Sequence, residues 1–264
     1  MSTVDAIRAE WTKLRTVVST PWLVLTAVAA IVGIGAAVTA ARDTRGCPTP
    51  STCFEDLPKL SVTGAQYGQI AVVVLAVLIL SDEYGTRSIT ASLAAVPRRW
   101  MLYLSKIAVL TAVVAVAGSI GVLASLFVAR RILPGNGFNT VNGYRELSLG
   151  DEPTLRAVYG TVLYLALVAL LSYGVTAVLR DTAGSIATML VLLYAAPILT
   201  RVIDDPVWLR RIDRMSPMSA GLKIQATTAL ESLSIGPWQG LGVLALWAAG
   251  ALLAGLLALH LRDA

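Results

Sequence analysis

Six uncharged stretches divide the chain: Thr16 to Ala41, Leu60 to Ser81, Ile107 to Ala129, Ala157 to Leu179, Thr182 to Thr200, and Ser232 to Leu261. Each approaches or exceeds the roughly 20 residues that an α-helix needs to cross a hydrocarbon core. They predict an all-α integral membrane protein, a single transmembrane domain over residues 1–264. Its spans fall at about residues 20–41, 62–81, 105–129, 157–179, 183–200 and 237–260. Pro21 suits a first helical turn and places Trp22 at headgroup depth. The first run is too long for a signal-peptide core, so no cleavage is expected. Pro197 removes a backbone donor and predicts a kink in the fifth span.

Two segments outside the apolar runs are patterned. Near the N-terminus Val4, Ile7, Trp11, Leu14 and Val18 share a narrow helical stripe, flanked by Arg8 and Arg15, with Lys13 opposite. That is the pattern of an amphipathic helix lying in the membrane interface, and equally of the opening turns of one long helix entering the first span. The second segment, Ser81 to Lys106, is a polar interruption between spans two and three. Within it Ile89, Leu93 and Val96 lie at i, i+4 and i+7, one face of a short helix. Ser81 or Asp82 can cap that helix and Pro97 ends it. A short amphipathic helix between two spans is a shape that docks into a partner's groove; a solvated loop whose arginines fix topology is the alternative.

Composition agrees with the pattern. Hydrophobic residues make up 56% of the chain and charged ones 14%, well below the quarter or so of a soluble protein. The net charge of +5 suits an anionic lipid surface, and no basic patch with interleaved aromatics points to nucleic acid. Charge counts decide orientation poorly: with the N-terminus inside, nine basic residues lie on the cytoplasmic side and the other twelve in the longer outside loops. The only cysteines, Cys47 and Cys53, share the loop CPTPSTC and are close enough to close a small disulfide. A bridge would put that loop in an oxidising, extracytoplasmic space, with both termini cytoplasmic in the cell membrane; two separate thiols are the alternative.

The missing chemistry narrows the function. None of the six stretches contains Asp, Glu, Lys or Arg, which argues against an ion-coupled carrier. The sole histidine, His260, ends the last span, leaving Ser119 and Ser185 without a triad partner. No cluster offers a metal site, and no Gly-Lys-Ser/Thr forms a P-loop, so neither catalysis nor a bound cofactor is expected of this chain. Tyr67, Gln69, Tyr164, Ser172, Tyr173 and Tyr194 are the main polar or amphipathic groups near spans two, four and five. Gln69, Tyr164 and Tyr173 are candidates for a cargo path, or alternatively for interhelical hydrogen bonds. Small residues recur every fourth position at Ala29, Gly33, Ala37 and Ala41, at Ala117, Gly121, Ser125 and Ala129, and at Gly250, Ala254 and Ala258. Such faces let helices approach closely in lipid.

The order of these parts, with EWTKLRT at the start, EYGTRSITASLAAVPRRW after the second run and a lysine in SKIAVL, resembles a type-2 ABC transporter permease. The family's Glu, Gly-Thr, small-residue run and Pro-x-Arg-like turn match Glu83, Gly85, Thr86, Ala91 to Ala95, and Pro97, Arg98 and Arg99. VLRDTAGSIATML resembles the tight turn between spans four and five, and Val202 to Gly236 the loop where the family places short helices in the outer leaflet. The resemblance implies the membrane subunit of an ATP-driven exporter, pairing with a second permease copy and with an ABC ATPase subunit that binds ATP and Mg. Residues 82–99 would then be a cytoplasmic coupling helix, with Glu83, Thr86, Arg87, Ile89, Leu93 and Arg98 touching the ATPase. Consecutive acids at Asp82 and Glu83 and the long Arg130 to Arg156 segment depart from the pattern and leave cargo open. A membrane-embedded immunity or sensor protein, acting by binding without an ATPase, is the competing reading.

Overall fold

The computed structural model describes residues 3–44, 55–85, 99–203 and 205–262. Among them are helices and irregular segments and no strand. The chain begins with two helices, α1 (Thr3–Thr16) and α2 (Ser19–Ala40). Of the two readings of the N-terminus, one continuous helix is therefore wrong. The reason is Pro21, which has no N–H to give the Val17 carbonyl; the Thr20 N–H bonds it instead, at 3.2 Å.

The second apolar run is likewise two pieces, α3 (Leu57–Val62) and α4 (Ala65–Gly85). Asp56 caps α3 by accepting from the Lys59 N–H at 3.1 Å, with Pro58 in the first turn. The interruption falls at Thr63–Gly64, where a Cβ on Gly64 would stand 2.0 Å from the Ile31 carbonyl oxygen of α2. At its other end α4 runs on through Asp82 and Glu83 to Gly85. Ser81 and Asp82 therefore continue the second span and do not cap a new helix, because the two acids follow the apolar run without a break in helical backbone.

Four long helices complete the bundle with two short ones: α5 (Arg99–Ile132), α6 (Glu152–Leu179), α7 (Thr182–Leu199), α8 (Pro206–Met215), α9 (Pro217–Gly221) and α10 (Pro237–Arg262). Among the described residues six segments are long and apolar enough to cross a membrane: Ser19–Ala40, Leu57–Ser81, Tyr103–Asn136, Glu152–Leu179, Thr182–Leu199 and Pro237–Leu261. Pro197 stands in the last turn of α7, two residues before that helix ends at Leu199. The last helix starts at Pro237, inside the uncharged stretch that opens at Ser232; Leu230–Ser232 is a single 3-10 turn.

α4 and α6 form the centre. About 61% of their most apolar windows are buried, against 22% for α2 and α10 and 17% for α7, which wrap around them. α6 touches α4, α5, α7 and α10, while α2 packs on α4 and α5. The small-residue face of α5 (Ala117, Gly121, Ser125, Ala129) is buried; Ser125 lies 3.5 Å from the Ile31 carbonyl of α2 and donates to the Ser61 carbonyl of α3 at 2.7 Å. The other two stripes behave differently. Ala29, Gly33 and Ala37 of α2 are exposed, because Ala27, Ile31, Gly35 and Thr39 take the inward side. Gly250 and Ala254 of α10 also face outward, while its close approach to α6 is made at Gly174, where a Cβ would stand 2.5 Å from the Ala251 carbonyl carbon.

The two ends of the bundle are tied differently. At one end Asn136 donates to the Arg42 carbonyl at 2.9 Å, Arg156 to the Ala226 carbonyl at 2.7 Å, and Asp56 accepts from the Thr227 N–H at 2.6 Å. The opposite end gathers α1, the ends of α4 and α5 that face the 86–98 segment, and the Arg180–Asp181 turn. There Arg180, in the left-handed region at φ 60, donates to the Ala258 carbonyl at 3.2 Å, and Asp181 caps α7. Trp11, Trp22 and Trp100 are exposed at this end, and Trp208 and Trp238 at the other, as interfacial belts require.

Candidate functional site

The segment suggested for partner docking leaves the bundle at Gly85 and re-enters at Arg99. Of the six residues expected to touch the ATPase, only Glu83 falls on a described element, the last turn of α4. Thr86, Arg87, Ile89, Leu93 and Arg98 lie outside the described residues, as do Cys47 and Cys53 with their disulfide.

Where that segment re-enters, the structure holds a feature the sequence reading did not identify. Lys106, two turns into α5, places its Nζ 2.7 Å from Oε2 of Glu10 on α1. Both side chains are buried, at 3% and 8% of their full exposure. A charged pair removed from water is costly, so it persists only where each charge answers the other at close range. The consequence for α1 is geometric. Burying Glu10 against α5 turns Ile7 and Trp11 outward, 41% and 46% exposed, and leaves the apolar stripe available to lipid. Lys106 precedes the uncharged run Ile107 to Ala129 and lies inside the helix that forms the third span.

Two of the three candidate cargo residues meet. Tyr164 of α6 donates to Oε1 of Gln69 on α4, and both are fully buried. The Gln69 amide group lies 2.8 Å from the Gln66 carbonyl, 3.0 Å from the Tyr194 hydroxyl of α7 and 3.3 Å from the Met218 sulfur of α9. Tyr194 in turn donates to the Gln66 carbonyl at 2.6 Å. A single amide thus joins four helices inside one chain. Tyr173 stands apart. Its ring is tilted against Tyr103 of α5, centroids 5.2 Å apart, and the Tyr103 hydroxyl donates to the Leu252 carbonyl of α10 at 3.0 Å. All three residues sit between helices of this one chain.

A second buried amide, Gln225, donates to Thr161 at 3.2 Å and reaches the Val62 carbonyl at 3.5 Å, joining the 222–225 turn to α6 and α3. Among the described residues no group of three or more His, Cys, Asp or Glu is arranged to hold a metal. His260 is exposed near the end of α10. No protein-family model matches the chain, and no curated protein is similar to it.

Proposed function

We propose that this chain is the membrane-spanning permease subunit of an ATP-driven exporter, forming a translocation path with a second copy and coupled to a separate ATPase subunit. ATP and Mg2+ would bind that partner. The observation that carries the reading is the buried Glu10–Lys106 pair at 2.7 Å, which joins the amphipathic α1 to the helix emerging from the 86–98 segment. A push on that segment by a closing ATPase would enter the bundle through the first turns of α5, and α1 would move with it. The outward small-residue faces of α2 (Ala29, Gly33, Ala37) and α10 (Gly250, Ala254) would let a second copy approach closely. Cargo would pass between subunits, which accords with Gln69, Tyr164 and Tyr173 being enclosed within one.

The test is isolation of the tagged protein in mild detergent from its own membranes. A co-purifying Walker-A ATPase at about one copy per permease is the expected result. A preparation without nucleotide-hydrolysing partner, from cells that retain the protein's function, would overturn the reading in favour of a binding protein that needs no ATPase.

A further inference from the structure

Two adjoining cavities open at the end of the bundle opposite α1. One, of about 340 Å³, lies between the start of α3, the α5–α6 loop and the Thr227–Thr228 turn, and the other, of about 380 Å³, lies against the end of α5. They share a wall formed by Leu57, Arg145, Glu146 and Leu147. Each volume falls within the range of small-molecule sites.

The charges lining the two differ in sign. Beyond the shared Arg145 and Glu146, the first cavity is lined by Glu55 and Asp151, the second by Arg130 and Arg131. Glu55 is partly answered by Arg42 at 3.4 Å. Asp151 stands at the N-cap of α6 without its side chain making a capping bond, which leaves its carboxylate to the cavity. On the basic side the Arg131 guanidinium lies 5.2 Å over the Phe127 ring, a contact that orders it.

The walls are built before any ligand arrives. Asp56 accepts from the Thr227 N–H and hydroxyl, both at 2.6 Å, and from the Thr228 N–H at 3.1 Å. The α5–α6 loop is pinned from within by the buried Phe138–Tyr144 edge contact at 5.0 Å and by Asn142, which donates to the Gly137 carbonyl at 2.7 Å. Gly137 and Gly143 allow its turns with φ of 94 and 83. Preformed walls reduce the ordering cost of binding.

We infer that this two-lobed cleft binds a small dipolar molecule, its ammonium in the acidic lobe and its carboxylate or phosphate in the basic lobe. A ligand with one charge would satisfy one lobe and leave the other unanswered. A free amino-acid-like or peptide solute and the phosphoethanolamine headgroup of a lipid share this chemistry. The inference is independent of the ATPase reading, because the subunit alone carries both lobes.

The test is calorimetric titration of the full-length protein in an uncharged detergent. The probes are trialanine, glycerophosphoethanolamine, trialanine amide, which lacks the anion, and N-acetyl-trialanine, which lacks the cation. At least one dipolar probe should bind saturably, and for trialanine each blocked form should bind roughly tenfold more weakly or worse. Preference for trialanine assigns a free solute, and preference for glycerophosphoethanolamine a lipid headgroup. R130Q/R131Q should abolish the advantage of an anion, and E146Q/D151N the advantage of a cation; these side chains are exposed or half-buried, so a melting temperature near wild type is expected of both. Absence of saturable binding by both dipolar probes, or blocked forms binding as well as trialanine, would overturn the inference.

Discussion

Replacing Lys106 with Met should release α1 from the bundle. At 2.7 Å the attraction between Lys106 and Glu10 is about 6 kcal/mol with an effective dielectric constant of about 20. Desolvating two ions costs several kcal/mol each, so the pair contributes little net stability while both members are present. Removing one member is different, since it leaves a buried carboxylate or ammonium unanswered, at about 3–5 kcal/mol. Because α1 packs chiefly on α5, that cost should fall on the α1 contact more than on the whole bundle. The opening equilibrium of α1 should shift by about two to three and a half orders of magnitude, one per 1.4 kcal/mol. The assay is amide hydrogen exchange over residues 3–16 in detergent or nanodiscs. K106M and E10L should each raise exchange there, with α6 unchanged, and the double variant E10L/K106M should return close to wild type. If the single variants exchange like wild type, or the double variant is as open as they are, the pair does not hold α1.

Three further outcomes follow from the packing and the sequence. Q69L strands the fully buried Tyr164 hydroxyl and should cost about 1–3 kcal/mol, whereas Y164F should cost less; melting temperatures in detergent rank them, and equal values would contradict the shared network. G64A drives a Cβ to within 2.0 Å of the Ile31 carbonyl and should destabilise strongly, whereas a Cβ on Gly33 meets nothing within 4 Å, so G33A should be tolerated; the same melting assay decides, and the opposite order would refute the packing described. For Cys47 and Cys53, a membrane-impermeant maleimide should label neither in intact cells and both after reduction, and labelling that requires lysis would reverse the topology.

The spans could be read from the sequence because a run of some 20 apolar residues has few other uses. Their internal breaks could not. The division between Val62 and Ala65 lies within a continuous apolar run, at the close contact of Gly64 with α2, which no local period records. Glu10 and Lys106 are 96 residues apart, and each looked like an ordinary flanking charge. Likewise Gln69 and Tyr194 stood out as polar residues near spans, but their meeting across 125 residues depends on the bundle. The small-residue stripes were visible, yet only the face of α5 is buried within the subunit; period alone does not tell an internal contact from an outward one. The two-lobed cleft escaped for the same reason, since its charges come from four separate parts of the chain.

Coupling to an ATPase through the segment between α4 and α5 can be tested at Ile89 and Leu93. If they form the apolar knob that enters a groove on the ATPase, I89D/L93D buries unpaired carboxylates at several kcal/mol, a loss of orders of magnitude in association. Arg87→Glu, a rim change, should weaken pairing less and mainly through rate and salt dependence. The measurement is recovery of the ATPase with wild type and I89D/L93D at matched membrane expression. The partner should be retained by the wild type and lost from the double variant; equal recovery from both would refute docking through this segment.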